Sequence, residues 1–162
     1  MADKTLNDLF HDTLKSVYFA EMQMLESLPR RADAARSAPV QRAFQDRRID
    51  AIRQIDRLES IFGLLGSAPR ARLSEAIRGL IIDDETLIRD YAGSEALDAA
   101  LIADGQAIGR YEIARYGALK AWALQLGLID IADMLDQTLR EKKNADASMS
   151  GLAVAKMAPK AA

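Results

Sequence analysis

The sequence has no cysteine and a single histidine, His11. The first absence excludes disulfides, thiolate catalysis and thiolate metal sites. The second excludes a Ser/His/Asp arrangement, because His11 stands alone in the first turns of a helical pattern. No glycine-rich phosphate loop is present. Proline occurs only at 29, 39, 69 and 159, strand patterns are nearly missing, and no run approaches the ~18 apolar residues that would span a bilayer. A bias of charge is missing too: 22 Lys+Arg stand against 24 Asp+Glu, a formal net charge of -2. That balance argues against nucleic acid as a partner, and the segment RRIDAIR, basic but interrupted by acid, does not alter it. The opening MADKTLNDLF lacks the apolar core of a signal peptide. These absences point to a cytoplasmic protein with neither a membrane nor a nucleic-acid role. At 162 residues and 49% hydrophobic, the chain can bury a real core. The expectation is a single domain over 1–157, with a frayed C-terminal tail over 158–162.

What is present is helix. The stretches between punctuation are long and rich in Ala, Leu, Arg and Glu. The first helix is expected from about Thr5 to Arg36, with Leu6, Phe10, Leu14, Val17, Glu21, Leu25 and Leu28 on one face. Pro29 should bend or interrupt it. Ser37 can cap the second helix and Pro39 suits its first turn. That helix carries Val40, Phe44, Arg47, Ala51, Ile55, Leu58, Phe62 and Leu65 and ends at Gly66. A third, from near Ser94 to Gly127, carries Leu97, Leu101, Ile108, Glu112, Leu119, Trp122 and Leu126. The fourth follows at once with Ile131, Leu135, Leu139, Lys142 and Met149, and its end, VAKMAPKAA, is expected to fray. Between the pairs, Ser67 to Gly93 holds a shorter amphipathic pattern, Ile77, Leu80, Ile81, Leu87 and Ile88, with Ser74 as a cap. Short connections make each pair an antiparallel hairpin, and the long one crosses the length of the bundle. The fold class read from this is all-α, a ferritin-like four-helix bundle with an extra short helix in the crossover. FGLLG and LQLG, closing the second and third helices, form a faint internal echo.

Acids on the apolar stripes need an explanation. Glu21 and Glu112 occupy matching places in the two hairpins, each with an aromatic nearby, Tyr18 and Tyr111. Asp50 on the second helix and Glu141 on the fourth could complete a set of four. Inward carboxylates of this kind hold two metal ions in ferritin-like bundles, and hard oxygen donors suit iron or manganese. The cations argue the other way. Arg47 takes a stripe position three residues before Asp50, Arg110 lies two before Glu112, and Lys142 follows Glu141. Arginine does not shed its proton to become a ligand and repels a dication, yet it can fork onto a carboxylate. The residues therefore read better as an ion-pair network than as a metal cage. Elsewhere, DDE at 83–85 and RQIDRLE in the second helix read as solvated faces. Tyr91, Tyr116 and Trp122 read as core or dimer contacts.

TLNDLFHDTLKSVYFAEMQMLESLPR resembles the opening of the bacterial DUF892 (YciF/YciE-like) ferritin-like family, with its Tyr-x-Ala-Glu motif and Leu-Pro. The resemblance continues through AFQDRRIDAIRQIDRLESIFGLLGSAPR, DAALIADGQAIGRYEIARYGALKAWALQLG and DMLDQTLREKKNADASM. It covers nearly the whole chain. It implies a four-helix bundle with a crossover helix, a homodimer, a link to bacterial stress and, in some members, a two-metal site. Glu21 matches the family's first glutamate. Where the second helix of the family reads His-Leu-Glu-Glu-Thr, this chain has Arg47-Arg48-Ile49-Asp50-Ala51. Where the third reads Glu-His-Tyr-Glu-Ile-Ala, it has Gly109-Arg110-Tyr111-Glu112-Ile113-Ala114, and Glu-Glu-Lys appears as Glu141-Lys142-Lys143. The expectation is a non-catalytic structural or stress-associated protein. Its remnant metal positions Glu21, Asp50, Glu112 and Glu141 would be unused, and Arg47, Arg110 and Lys142 would supply the replacing charge. No cofactor is expected on this reading. The alternative is a di-iron or di-manganese oxidoreductase, handling peroxide or oxidising Fe²⁺ with those four acids. A third reading, an interaction module recruiting a protein partner, has no residue pattern to name that partner.

Overall fold

The computed structural model describes residues 3–157, and for 156–157 the backbone alone. The tail expected to fray, 158–162, lies outside the described residues. Among those described there are five helices and no strand: α1 (Leu6–Ala34), α2 (Ala38–Leu64), α3 (Glu75–Asp90), α4 (Leu97–Gln125) and α5 (Ile129–Met157). Thr5 and Asp8 start α1 with a reciprocal cap. Thr5 Oγ1 accepts from the Asp8 amide at 3.2 Å and Asp8 Oδ2 accepts from the Thr5 amide at 2.8 Å. Pro29, expected to bend or interrupt α1, does not interrupt it. It lies on the exposed side, where the loss of one helical donor costs least.

Two other expected caps work differently. Ser37 precedes α2 but makes no side-chain cap bond. Asp98 of α4 accepts instead from the amides of Arg36 and Ser37, at 2.7 and 3.0 Å, and so clamps the turn between α1 and α2. Ser74 precedes α3, and its hydroxyl pairs with Tyr111 Oη at 2.9 Å rather than with its own helix. The start of α4 is Leu97, three residues after the Ser94 expected. The echo between FGLLG and LQLG has a geometric basis. Gly66 (φ 70) and Gly127 (φ 74) both take the left-handed conformation that closes a helix. In each, the next amide returns to a carbonyl five residues back: Ser67 to Phe62, and Leu128 to Ala123.

α1 with α2 and α4 with α5 form the two hairpins, α1 packs on α4, α2 on α5, and α3 lies across α1 and α4. The end of α1 meets the start of α4 at Asp98, and Arg57 of α2 meets Glu141 of α5 while Pro39 faces the Leu152 end. Neighbouring helices in the bundle are therefore all antiparallel. α2 and α4 run the same way, which is why the crossover must travel the length of the bundle. The apolar core falls into two clusters. One holds Met24, Leu28, Phe44, Ala51, Ile77, Leu101, Ile108 and Met149. The other holds Phe10, Leu14, Val17, Leu58, Tyr116, Leu119, Leu135 and Leu139. Between them lies a polar layer.

Candidate functional site

Three helices of the bundle change from one cluster to the other at a charged residue, and the fourth, α2, changes at the buried Gln54 between Ala51 and Leu58. On α1 it is Glu21, between Val17 and Met24. On α4 it is Glu112, between Ile108 and Tyr116. On α5 it is Lys142, between Leu139 and Met149, and α2 contributes Arg47 after Phe44. Helical spacing of three to four residues carries these groups onto the same face as their apolar neighbours. All four then meet. Lys142 Nζ lies 2.7 Å from Glu21 Oε1 and 3.1 Å from Glu112 Oε2. Arg47 reaches Glu112 Oε2 at 3.6 Å and donates to the Gly105 carbonyl at 3.1 Å. Tyr116 Oη donates to Glu21 Oε1 at 2.8 Å. Glu21 is 0% exposed, Glu112 2% and Lys142 7%. The two acids and two cations sum to zero charge.

Burial pulls the Lys142 ammonium towards losing its proton, but Glu112 and Glu21 outweigh it and hold its pKa above the ordinary value. Burial pushes the Glu21 carboxyl up; Lys142 opposes this and Glu112 adds to it. Tyr116 is raised well above a normal phenol, by burial first and then by Glu21. Glu21 Oε2 and Glu112 Oε1 are buried and meet no hydrogen-bond donor among the described residues. A cavity of about 20 Å³ adjoins the cluster, bordered by Glu21, Arg47, Gln54, Glu112, Glu141 and Lys142. That is room for a single water. Gly109 explains how Arg47 fits: a Cβ there would already stand 3.7 Å from its Nη2, so a longer side chain would take the guanidinium's space.

Three of the residues expected at this site stand outside the ion pairs of the cluster, although Asp50 and Glu141 border the same cavity. Arg110 points to the surface and pairs with Asp146 at 3.3 Å, so it adds no charge to the layer. Asp50 lies one position off the inward Ala51, at the rim, and is held by Arg53 of its own helix. Glu141 is rotated about 100° from Lys142 and faces α2. Arg57 grips it with two bonds of 3.0 and 2.9 Å, and Gln54 adds a third at 3.0 Å. Burial would raise the Glu141 carboxyl, but these donors hold it below the usual range. RQIDRLE is thus not simply a wet face, because Gln54 is buried and Arg57 mostly so. Of the aromatics expected as core or dimer contacts, Tyr116 is core and Tyr91 is exposed on the single chain.

A second buried pair was not expected. Arg31 Nε lies 3.0 Å from Asp84 Oδ2, with the side chains 0% and 2% exposed. Asp84 is the middle residue of the DDE run, so one of the three is interior rather than solvated. The signal was in the spacing: Arg31 follows Leu28 by three, and Asp84 follows Ile81 by three. Burial lowers the Arg31 pKa against the pull of Asp84, and raises that of Asp84 against the pull of Arg31.

Comparison with known proteins places this geometry. A model of the family described as Domain of unknown function (DUF892) matches residues 5–162. Protein YciF of Escherichia coli (strain K12) is 34% identical over 152 residues, 93% of this chain and 92% of that one. The crystal structure of the E. coli stress protein YciF superposes with a TM-score of 0.93 at 32% identity, covering 98% of this chain and 100% of the other. YcfI of Rhodopseudomonas palustris, provisionally called a structural protein, gives 0.89 at 35% identity, covering 91% and 94%. With the bundle, its crossover helix and its sequence all matching, the chain belongs to the DUF892 family.

Proposed function

We propose that this chain is a non-catalytic, ferritin-like structural protein associated with stress, in which Lys142 and Arg47 stand in for the charge of the two metal ions that the resemblance implies for some members of the family. The observation that carries the reading is the position of the Lys142 ammonium, 2.7 and 3.1 Å from carboxylates on two facing helices. The donor set fits metal poorly. Among the described residues no group of three or more His, Cys, Asp and Glu converges on one point. A dication between Glu21 and Glu112 would have to displace an ammonium and sit against a guanidinium, where like charges repel. The oxidoreductase alternative needs Asp50 and Glu141 to leave Arg53 and Arg57 and turn inward.

Elemental analysis of tag-free protein tests this, before and after anaerobic loading with Fe²⁺ or Mn²⁺ and desalting. No retained metal is the expected result. About two metals per chain, the number a di-metal carboxylate site holds, would overturn it.

The reading also takes the protein to be a cytoplasmic homodimer. Met22 on α1 and Ile49 and Ile52 on α2 are exposed apolar groups that a second copy would cover. Sedimentation equilibrium is expected to return twice the chain mass. Monomeric mass across a wide concentration range would remove this part of the reading.

A further inference from the structure

We propose that the hollow between α1 and the crossover, bordered by His11, Lys15, Ser67, Ala68 and Arg70, binds phosphate, either inorganic or as the terminal group of a small soluble phosphate monoester.

The fold brings these groups together from two segments. His11 and Lys15 are four residues apart on α1, so they share one face of the helix. After α2 closes at Gly66, the Ser67 amide is held by the Phe62 carbonyl at 3.0 Å. Farther along, the Arg72 amide donates to the Lys15 carbonyl at 3.0 Å, and the Arg72 guanidinium pairs with Asp12 at 2.7 Å. The chain from 67 to 72 is thus pinned at both ends, and Pro69 fixes one backbone angle between them. Ser67 and Arg70 are carried to the His11 and Lys15 face, around a hollow of about 270 Å³.

Charge is what distinguishes this hollow. Among the described residues no acid borders it. Arg70 makes no ion pair among them, and Lys15 reaches Asp12 only at 4.0 Å. Asp12 is already held by Lys4 at 3.0 Å and by Arg72, while Asp8 turns back to cap α1 through Thr5. Those two acids, with Asp3 and Lys4, border a neighbouring hollow instead. The His11 ring meets the edge of Phe10, and the Ser67 hydroxyl has only a 3.5 Å bond to the Phe62 carbonyl. Two fixed cations, an imidazole that becomes a third on protonation and a hydroxyl suit a tetrahedral dianion. A carboxylate brings half the charge and fewer oxygens. The near-balanced charge of the whole chain favours a small ligand over a nucleic-acid strand. The lone histidine, unused by the buried cluster, gains a role here.

The groups that face His11 set the pH dependence. They are Lys15, Arg70, Asp3, Lys4, Asp8 and Asp12. A dianion bound beside the ring favours its protonated form. Binding therefore strengthens as pH falls through the range in which imidazoles gain a proton.

The test is proton NMR of tag-free protein, in which His11, the only histidine, gives the only imidazole signals. Titration with inorganic phosphate at fixed pH and low ionic strength is expected to move them saturably, with a Kd of about 1 mM. Lys15→Met and Arg70→Ala are each expected to weaken binding about tenfold. Arg89→Ala, which removes an exposed charge from the last turn of α3, should leave it unchanged. Sulfate keeps both its charges between about pH 6 and pH 8, and it is expected to bind more tightly at the lower end. His11→Gln should abolish that difference, read in the amide signals of residues 67–72. Non-saturating shifts shared by every variant overturn the proposal as an effect of ionic strength. So does saturable binding that survives both Lys15→Met and Arg70→Ala. Sedimentation with phosphatidic acid vesicles, without any response to inorganic phosphate, would overturn the small soluble ligand.

Discussion

Lys142→Met is expected to destabilise the protein by about 3–5 kcal/mol, the usual consequence of removing one partner from a buried ion pair. Methionine fills much the same volume, so packing is nearly preserved and the loss is electrostatic. Glu21 and Glu112 would then share the interior with only Arg47, which stands 3.6 Å from Glu112. Against a total stability of roughly 5–15 kcal/mol, the change is large. For a chain of this size it corresponds to a fall of roughly 6–20 °C in Tm. The pH dependence gives the cause. Burial and the second carboxylate already push Glu21 upward, and Lys142 is the main opposing influence. Without it, the folded-state pKa rises further above the unfolded value. The penalty is then fully present above that folded pKa and is relieved as pH falls through it. Acidification should therefore restore stability to the variant relative to wild type, and Glu21→Gln added to Lys142→Met should recover part of the loss at neutral pH. Urea melts across pH measure both effects. A Lys142→Met protein as stable as wild type at neutral pH would show that the ammonium is not what neutralises the two acids.

The second large effect is expected at Arg31. Arg31→Met leaves Asp84 as a buried carboxylate with its guanidinium gone, again at a cost of about 3–5 kcal/mol. Replacing both, Arg31→Met with Asp84→Leu, is expected to be near neutral or stabilising, since a buried pair pays for its own desolvation. The double-mutant cycle would then show strong coupling, as contacting residues do. The location adds a second readout. Asp84 is on the crossover helix, with Ile77 and Ile81 as its other buried groups, so the single variant should loosen α3 first. Hydrogen exchange is expected to speed up over residues 75–90 before the rest of the bundle. Uniform loss of protection would indicate instead that α3 is not held separately by this pair.

The helices, the two hairpins and the long crossover were legible in the sequence because long apolar periods and short connections leave few ways to pack. Glu21, Glu112, Arg47 and Lys142 were legible for the same reason: each sits in register with an apolar stripe. The errors lie where a single position decides. Asp50 and Ala51 are neighbours in sequence but about 100° apart around α2, and it is Ala51 that points inward. Glu141 and Lys142 divide in the same way, one towards Arg57 and one into the core. Asp84 and Arg31 were hidden in charged runs, DDE and PRRAD, whose composition suggests solvent. The periodicity of the flanking Ile81 and Leu28 was the better guide. Arg110 was misjudged because proximity along the chain to Glu112 says nothing of facing: two residues along a helix point to different sides.

The polar layer between the two apolar clusters also acts as an alignment key. Apolar stripes are forgiving, and a helix of leucines and alanines can slide by a turn and still bury its side chains. Here a one-turn slip of α5 would bring either Thr138 or Asp146 to the level of Glu21 and Glu112. A threonine there leaves two buried carboxylates without their ammonium, and an aspartate adds a third. Either misfit loses the pairing that makes the layer neutral, with the several-kcal/mol penalty of an unpaired interior charge. The same groups that keep the layer neutral thus leave the hairpins a single vertical setting in which to close.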